Sequence, residues 1–227
     1  MQTVTYSLGI AGASMATGPT IVIDTFRAFT TAAVLFDRGV GRIILCDDVN
    51  DARDTASHLG ALLCGEVGGA KPEGFDFGNS PWEATSQPSL AGSIVVQRTS
   101  SGTRSVLAAI NAGARPVLAA SLVVASATAE AVRDFDAVTI VSAGQDGTDA
   151  AEEDDLTAAH IAALLSGTGI PETATALLQS ERASFVAEAS WGYPEDVDIA
   201  ADVDRFPFAM LAERTSDGLV DLRTLGR

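Results

Sequence analysis

Lysine is nearly missing from this chain: Lys71 is the only one in 227 residues, and the other thirteen basic side chains are arginines. Cations as a whole are scarce, with fourteen basic against thirty acidic side chains and a formal net charge of -16. Such a surface repels nucleic acid and anionic membranes, so neither is expected as a partner. It also repels an anionic small molecule unless cations or a metal reverse the field locally, which makes the position of each cation informative. Aromatic residues are few, at 6%. No apolar run is long enough to cross a bilayer. With only two cysteines, Cys46 and Cys64, a disulfide framework beyond one pair is excluded, and buried free thiols in a reducing compartment are expected. No basic residue precedes Arg27, which argues against a secretory signal. A cytoplasmic location is the expectation.

What the chain has is apolar content, 47% of residues, enough for a real core. Its length fits one compact unit over residues 1–227, or two intimately packed halves. Short β-branched runs at Thr20 to Asp24, Arg42 to Cys46, Ile94 to Arg98, Arg115 to Ala120 and Ala137 to Ser142 read as strands covered on both faces. Ala61 to Glu66 reads as a shorter strand. Helical spacing lies between them, at Ala28 to Arg38, Val49 to Leu59, Thr103 to Asn111 and Leu122 to Asp134, with Gly39, Gly60 and Gly113 placed as C-caps. After Glu152 come two helical stretches, Glu153 to Leu165 and Pro171 to Ser190. A tail from Phe206 to Leu225 reads as strand, turn and strand. The pattern predicts a three-layer α/β/α fold with a largely parallel or mixed sheet, a helical C-terminal part and a short C-terminal β tail.

Sites in such sheets lie beyond the carboxyl ends of the strands. That rule selects Asp24 to Arg27, Glu66 onward, Thr99 to Arg104, Ser121, and Ser142 to Asp155. The longest irregular segment, Gly65 to Pro81, holds five glycines, three carboxylates and Lys71. Its glycines can bring N–H groups close to an anion, and Glu66, Glu73 and Asp76 can offer oxygen ligands to a hard cation such as Mg²⁺. Ser80-Pro81-Trp82-Glu83 reads as a capping box opening a helix. Thr99 to Arg104 can cradle phosphate at a helix N-terminus, although plain N-capping by Ser101 accounts for it equally. The acids at Glu152 to Asp155 also have a structural reading, as complements of a helix dipole. His58 and His160 lack partners at ligand spacing and read as solvated or packed.

Several phosphatase chemistries are excluded. A cysteine phosphatase needs arginine six residues after its cysteine, where Cys64 has Ala70 and Cys46 has Ala52. An aspartyl-phosphate enzyme of the haloacid dehalogenase type needs a second aspartate two residues on, where Asp24 has Phe26. Lys71 is flanked by alanine and proline, so no P-loop is present. No residue stands out as a covalent nucleophile, and attack by water is expected.

Taken in order, VIDTFRAFTT (22–31), GE with KPEGFDFGNSP (65–81), TSSGTR (99–104), Ala120-Ser121, and SAGQDG followed by EEDDLTAA (142–159) resemble the 2-phosphosulfolactate phosphatase family. The resemblance implies a three-layer α/β fold and Mg²⁺-dependent hydrolysis of phosphosulfolactate to sulfolactate and phosphate. It carries Asp24, Arg27, Glu66, Asp76, Asn79, Ser80, Thr103, Arg104, Glu153 and Asp154 over as site residues. On chemical grounds Asp24, Glu66, Asp76, Glu153 and Asp154 are assigned to metal. Arg27 and Arg104 join Asp24, Glu66 and Asp76 as catalytic candidates, and Lys71, Asn79, Ser80, Gly102, Thr103 and Ser121 are assigned to substrate. The family usually has arginine after the GE pair, asparagine before GTR and asparagine soon after Ser121; here stand Val67, Ser101 and valines. These departures keep open a second expectation, a divergent homologue that binds a small anion without turning it over. The expected partner is a small anionic phosphate ester, and a homodimer is compatible with this reading.

Overall fold

Strands and helices alternate along most of the chain in the computed structural model, which describes residues 2–88 and 90–226. In chain order they are β1 (Thr3–Leu8), α1 (Gly9–Ala13), β2 (Thr20–Ile23), α2 (Ala28–Asp37), β3 (Arg42–Cys46), α3 (Val49–Leu59), β4 (Leu62–Gly65) and α4 (Pro81–Ser86). There follow β5 (Ile94–Arg98), α5 (Gly102–Asn111), β6 (Val117–Ala120), α6 (Ala125–Ala131) and β7 (Ala137–Ser142). The C-terminal part comprises α7 (Glu152–Leu165), α8 (Thr173–Leu178), α9 (Glu181–Glu188), α10 (Pro194–Ala200), β8 (Ala209–Arg214) and β9 (Val220–Leu225).

Side chains alternate across each strand, and here both faces are covered. Val22, Val117, Ala119 and Val141 pack into one core with Phe29 of α2 and Val106 of α5. Their neighbours Ile21, Ile23, Leu118 and Ile140 point the other way, to a core shared with Ala129 of α6, Ile161 of α7 and Val186 of α9. Ile44 and Val96 complete a third cluster under Ala52 and Ala56 of α3. The result is the expected three-layer arrangement of helices on both faces of a mixed sheet.

The nine strands found among the described residues run in the order β1-β7-β2-β6-β8-β9-β3-β5-β4. Two parallel blocks, β1-β7-β2-β6 and β3-β5-β4, are joined by the antiparallel hairpin β8–β9 between them. The C-terminal tail is thus the middle of the sheet. Helices α2 and α5 carry the chain from one block to the other; α2 is buried along nearly its whole length and α5 along one face. Three antiparallel pairings separate the blocks, so in a flat sheet their carboxyl ends would point to opposite edges. At about 20–25° of twist per strand step, the five steps from β2 to β5 rotate the strands by roughly 100–125°. The two sets of carboxyl ends converge as a result: the Gly102 amide, just beyond β5, donates to the Asp24 carboxylate, just beyond β2, at 2.9 Å.

Several elements differ from the sequence expectation. Strand β1 and helix α1 precede the first strand read from the sequence. The stretch expected as one helix from Leu122 opens as a 3-10 turn, Leu122–Val124, and becomes α-helical only to Ala131. The stretch from Pro171 to Ser190 divides into α8 and α9 because the Ser180 hydroxyl accepts from the Ala183 amide at 3.0 Å and starts a new helix. Helix α10, opened by Pro194 at its first turn, was not expected.

Candidate functional site

Asp24 is placed by the end of β2, whose Ile23 is in register with Ala120 of β6 and Ser142 of β7. One Asp24 oxygen accepts from the Ala28 amide and the other from the Gly102 amide, each at 2.9 Å. Those amides open α2 and α5, so one carboxylate caps two helices, where their dipoles favour a negative charge. Ser101 makes no side-chain cap bond for α5; Asp24 takes that role instead. The approach demands glycine at 102, since an added Cβ would lie 2.6 Å from Asp24 Oδ2.

Asp154, in the first turn of α7, ties two loops together. Its oxygens accept from the Thr25 amide at 2.8 Å and the Gly144 amide at 3.0 Å. Beside it Glu153 faces Arg182 of α9, with Oε1 3.4 Å from Nε. Its other oxygen is buried and has no hydrogen-bond partner among the described residues. From the second block, Glu66 accepts from the Ser100 amide, the Ser100 hydroxyl at 3.0 Å and the Gly69 amide at 2.8 Å. Gly69, at φ 87°, permits a close approach of Trp191, whose ring would lie 2.3 Å from an added Cβ.

Arg27 is 4% exposed and firmly held. Its Nη1 donates to Asp196 at 2.8 Å and to the Trp191 carbonyl at 3.2 Å, and its Nη2 donates to the Gly69 carbonyl at 3.1 Å. The guanidinium also lies 4.5 Å from the centroid of the Trp191 ring.

These groups line one cavity of about 170 Å³. Asp24, Phe26 and Arg27 come from the end of β2, Glu66, Gly68, Gly69 and Asn79 from the glycine-rich loop, and Ser100 and Ser101 from the end of β5. Gly144 to Asp146 follow β7, Glu153 and Asp154 open α7, Arg182 and Phe185 come from α9, and Trp191 comes from the turn between α9 and α10. Burial pushes the Asp24 carboxyl up to about 6; the charge of Glu66 adds to this, while the Ala28 and Gly102 amides oppose it. Burial likewise raises Glu153 to about 7, with Arg182 opposing and Asp24 adding. Asp154 is also raised, by burial and then by repulsion from Asp24 and Glu153. Buried carboxylates crowded in this way favour either retained protons or a bound cation.

Of the candidates read from the sequence, Asp24, Arg27, Glu66, Asn79, Glu153 and Asp154 meet in this cavity. The others lie outside its lining, each for a visible reason. Asp76 is exposed and turned to the edge of β4, where its Oδ2 accepts from the Leu63 amide at 2.7 Å. Lys71 and Arg104 are exposed. Ser80 caps α4 and donates to Asp196 at 2.6 Å. Thr103 folds back onto Thr99, with its hydroxyl accepting from the Thr99 amide at 2.9 Å. Gly102 acts through its amide on Asp24, and Ser121 is fully buried, its hydroxyl unpartnered among the described residues. Glu73 and His58 are exposed, while His160 is buried against the Thr173 hydroxyl at 2.9 Å. Val67 is 49% exposed and outside the lining, whereas Ser101 is part of it. Cys46 and Cys64 are free and buried, and burial raises both thiols, Cys46 to about 11.

Sequence reading missed Arg182, Trp191 and Asp196. Each lies in the C-terminal helical part, far along the chain from the motifs it serves. The one local signal is the i, i+3 pairing of Arg182 with Phe185, whose ring lies 4.9 Å from the guanidinium.

Among the described residues no three of His, Cys, Asp and Glu are grouped closely enough to ligate a metal by themselves. Mg²⁺ does not require such a group, since it is commonly held by one or two carboxylates together with water and substrate phosphate. The unpartnered Glu153 oxygen, and hard oxygen donors throughout, fit an ion of that kind.

Among curated proteins, a probable 2-phosphosulfolactate phosphatase of Thermus thermophilus is 39% identical over 129 residues, covering 56% of this chain and 53% of its own length. One of the same name from Deinococcus radiodurans is 41% identical over 133 residues, with the same coverage of 56% and 53%. Another from a Cyanothece species is 35% identical over 156 residues, 66% of this chain and 63% of its own. The chain thus spans about half the length of the first two relatives and somewhat more of the third. The family profile described as 2-phosphosulpholactate phosphatase matches residues 10–213, nearly the whole chain, and on that match the chain belongs to the 2-phosphosulfolactate phosphatase family.

Proposed function

We propose that this protein is a phosphoric monoester hydrolase that uses Mg²⁺ to cleave a small phosphate ester bearing further anionic groups, of which 2-phosphosulfolactate is the type. The observation that carries this reading is the convergence of Asp24, Glu66, Glu153 and Asp154 with Arg27 and Arg182 around one cavity at the carboxyl ends of both strand blocks. Glu153, through its unpartnered oxygen, and Asp154 beside it would hold the ion together with water and substrate phosphate, and the bound ion would supply Lewis-acid polarisation of the phosphoryl oxygen and an activated water.

The chain's own groups do the rest. Arg27 has two N–H donors left after its bonds to Asp196, Trp191 and Gly69, and it presents them from a fixed position. Binding in that geometry costs little reorganisation, as electrostatic stabilisation of a phosphoryl group requires. Gly68, Gly69 and Asn79 line the same cavity.

The test is phosphate release from a panel of carboxylated phosphate esters with and without Mg²⁺. Release is expected to need the ion and to fall at least about 100-fold in Asp154→Asn, on the scale of losing an electrostatic catalytic group. Absence of Mg²⁺-dependent release from every ester would overturn the enzyme reading. Unchanged activity in Asp154→Asn would overturn the metal assignment.

A further inference from the structure

We propose that Arg182 determines substrate specificity, by taking an anionic group of the substrate other than the phosphate that is cleaved. The inference rests on the phosphatase reading above and assigns a role to a residue that no motif marks. Two arginines line the cavity, and they differ in kind. The Arg27 side chain is 3% exposed and tied to Asp196, Trp191 and Gly69. It is a buried, fixed cation, suited to the group common to all phosphate esters.

Arg182 is 24% exposed at its side chain, reaches in from α9, and stands beside Phe185, itself 53% exposed at the rim. Its contacts leave it adaptable. Nε is buried without a hydrogen-bond partner among the described residues, and it faces Glu153 at 3.4 Å, outside good hydrogen-bond geometry. Glu153 Oε2 is unpartnered as well. Two buried polar groups that lack partners are costly as they stand. An anion that accepts from the other N–H groups of Arg182 draws the guanidinium out of this loose pairing, and Glu153 is then free for the ion. The planar guanidinium fork matches the paired oxygens of a carboxylate or sulfonate. A buried, fixed cation and a partly exposed, adaptable one thus divide the constant part of a substrate from its variable part.

The experiment compares wild type, Arg182→Gln and Arg182→Lys with Mg²⁺ on 2-phospholactate, which carries a carboxylate, and on p-nitrophenyl phosphate, which has no second anion. Arg182→Gln is expected to raise KM for phospholactate at least tenfold more than for p-nitrophenyl phosphate, and Arg182→Lys to recover part of that difference. Equal losses on both substrates, or no loss, would overturn the proposal. Calorimetric titration of the same three folded proteins, checked by thermal melting, with a non-hydrolysable phosphonate analogue of 2-phospholactate gives a readout independent of turnover. Wild type should bind this analogue at least tenfold more tightly than methylphosphonate, and Arg182→Gln should lose that preference. No preference in wild type, or one that persists in the variant, would overturn it too. Should wild type turn over neither ester, the wider ester panel decides the phosphatase reading and the titration alone decides the role of Arg182.

Discussion

At the scale of single residues, the carboxyls of Asp24, Glu153 and Asp154 couple the site to pH. All three are raised, chiefly by burial, with Asp24 at about 6 and Glu153 at about 7. In the unfolded chain such groups titrate near 4. Between those values the native state keeps protons that the unfolded state has released, so the contribution of these groups to stability without metal falls as pH rises from about 4 through 6 and 7. A bound cation reverses the sense, because it competes with those protons. Mg²⁺ is therefore expected to raise the melting temperature little at pH 5.5 and progressively more up to pH 8, which thermal unfolding with and without the ion measures. An increment that does not change across that range would exclude these carboxyls as the ion's ligands. Asp24 follows a strand and Glu153 and Asp154 open a helix after one, which places them where sites lie in such sheets. That they meet was implied only by the family resemblance, since strand order was not legible. Asp76, Lys71 and Arg104 were not separable from them. The direction of a loop or helix side chain depends on neighbours such as the Leu63 backbone, to which Asp76 is bonded.

At the scale of elements, Asp196 joins three helix termini that the chain keeps far apart. It sits fully buried in α10, accepts from Ser80 and the Trp82 amide at the start of α4, and pairs with Arg27, the residue that precedes α2. Removing one partner of a buried pair leaves the other charge uncompensated, at a cost of about 3–5 kcal/mol. Asp196→Ala should lower unfolding stability by that amount in urea titrations. A loss below about 1 kcal/mol would mean that Arg27 finds another partner and is not held by Asp196. Activity should fall as well, since Arg27 would lose its fixed position. Nothing local in PEDVDIAAD distinguishes this aspartate from its exposed neighbours, and so short a helix, opened by proline, carries little periodic signal. Elements of ten or eleven residues, such as α2, α3 and α5, were legible because two or more turns of apolar spacing outweigh noise.

For the molecule as a whole, the strand–turn–strand character of the tail was readable, but its place was not. A hairpin's local pattern says nothing of which edges it joins, and β8–β9 pairs with β6 and β3, which precede it by more than ninety and one hundred and seventy residues. Net charge, in contrast, is global and fully legible, and it carries its own prediction. At -16 the protein repels an anionic ester at a distance. The cavity does not cancel this, since Asp24, Glu66, Asp146, Glu153 and Asp154 line it against two arginines. Screening shortens the reach of that field from about 30 Å at 0.01 M ionic strength to about 8 Å at 0.15 M. With Mg²⁺ held constant and saturating, kcat/KM for an anionic ester should therefore rise over that range of added salt. The close contacts to Arg27 and Arg182 are partly buried and screened less, so kcat should change little. A steep fall in kcat/KM would instead mean that cations at the mouth steer the ester in, and that the acidic surface does not govern its approach.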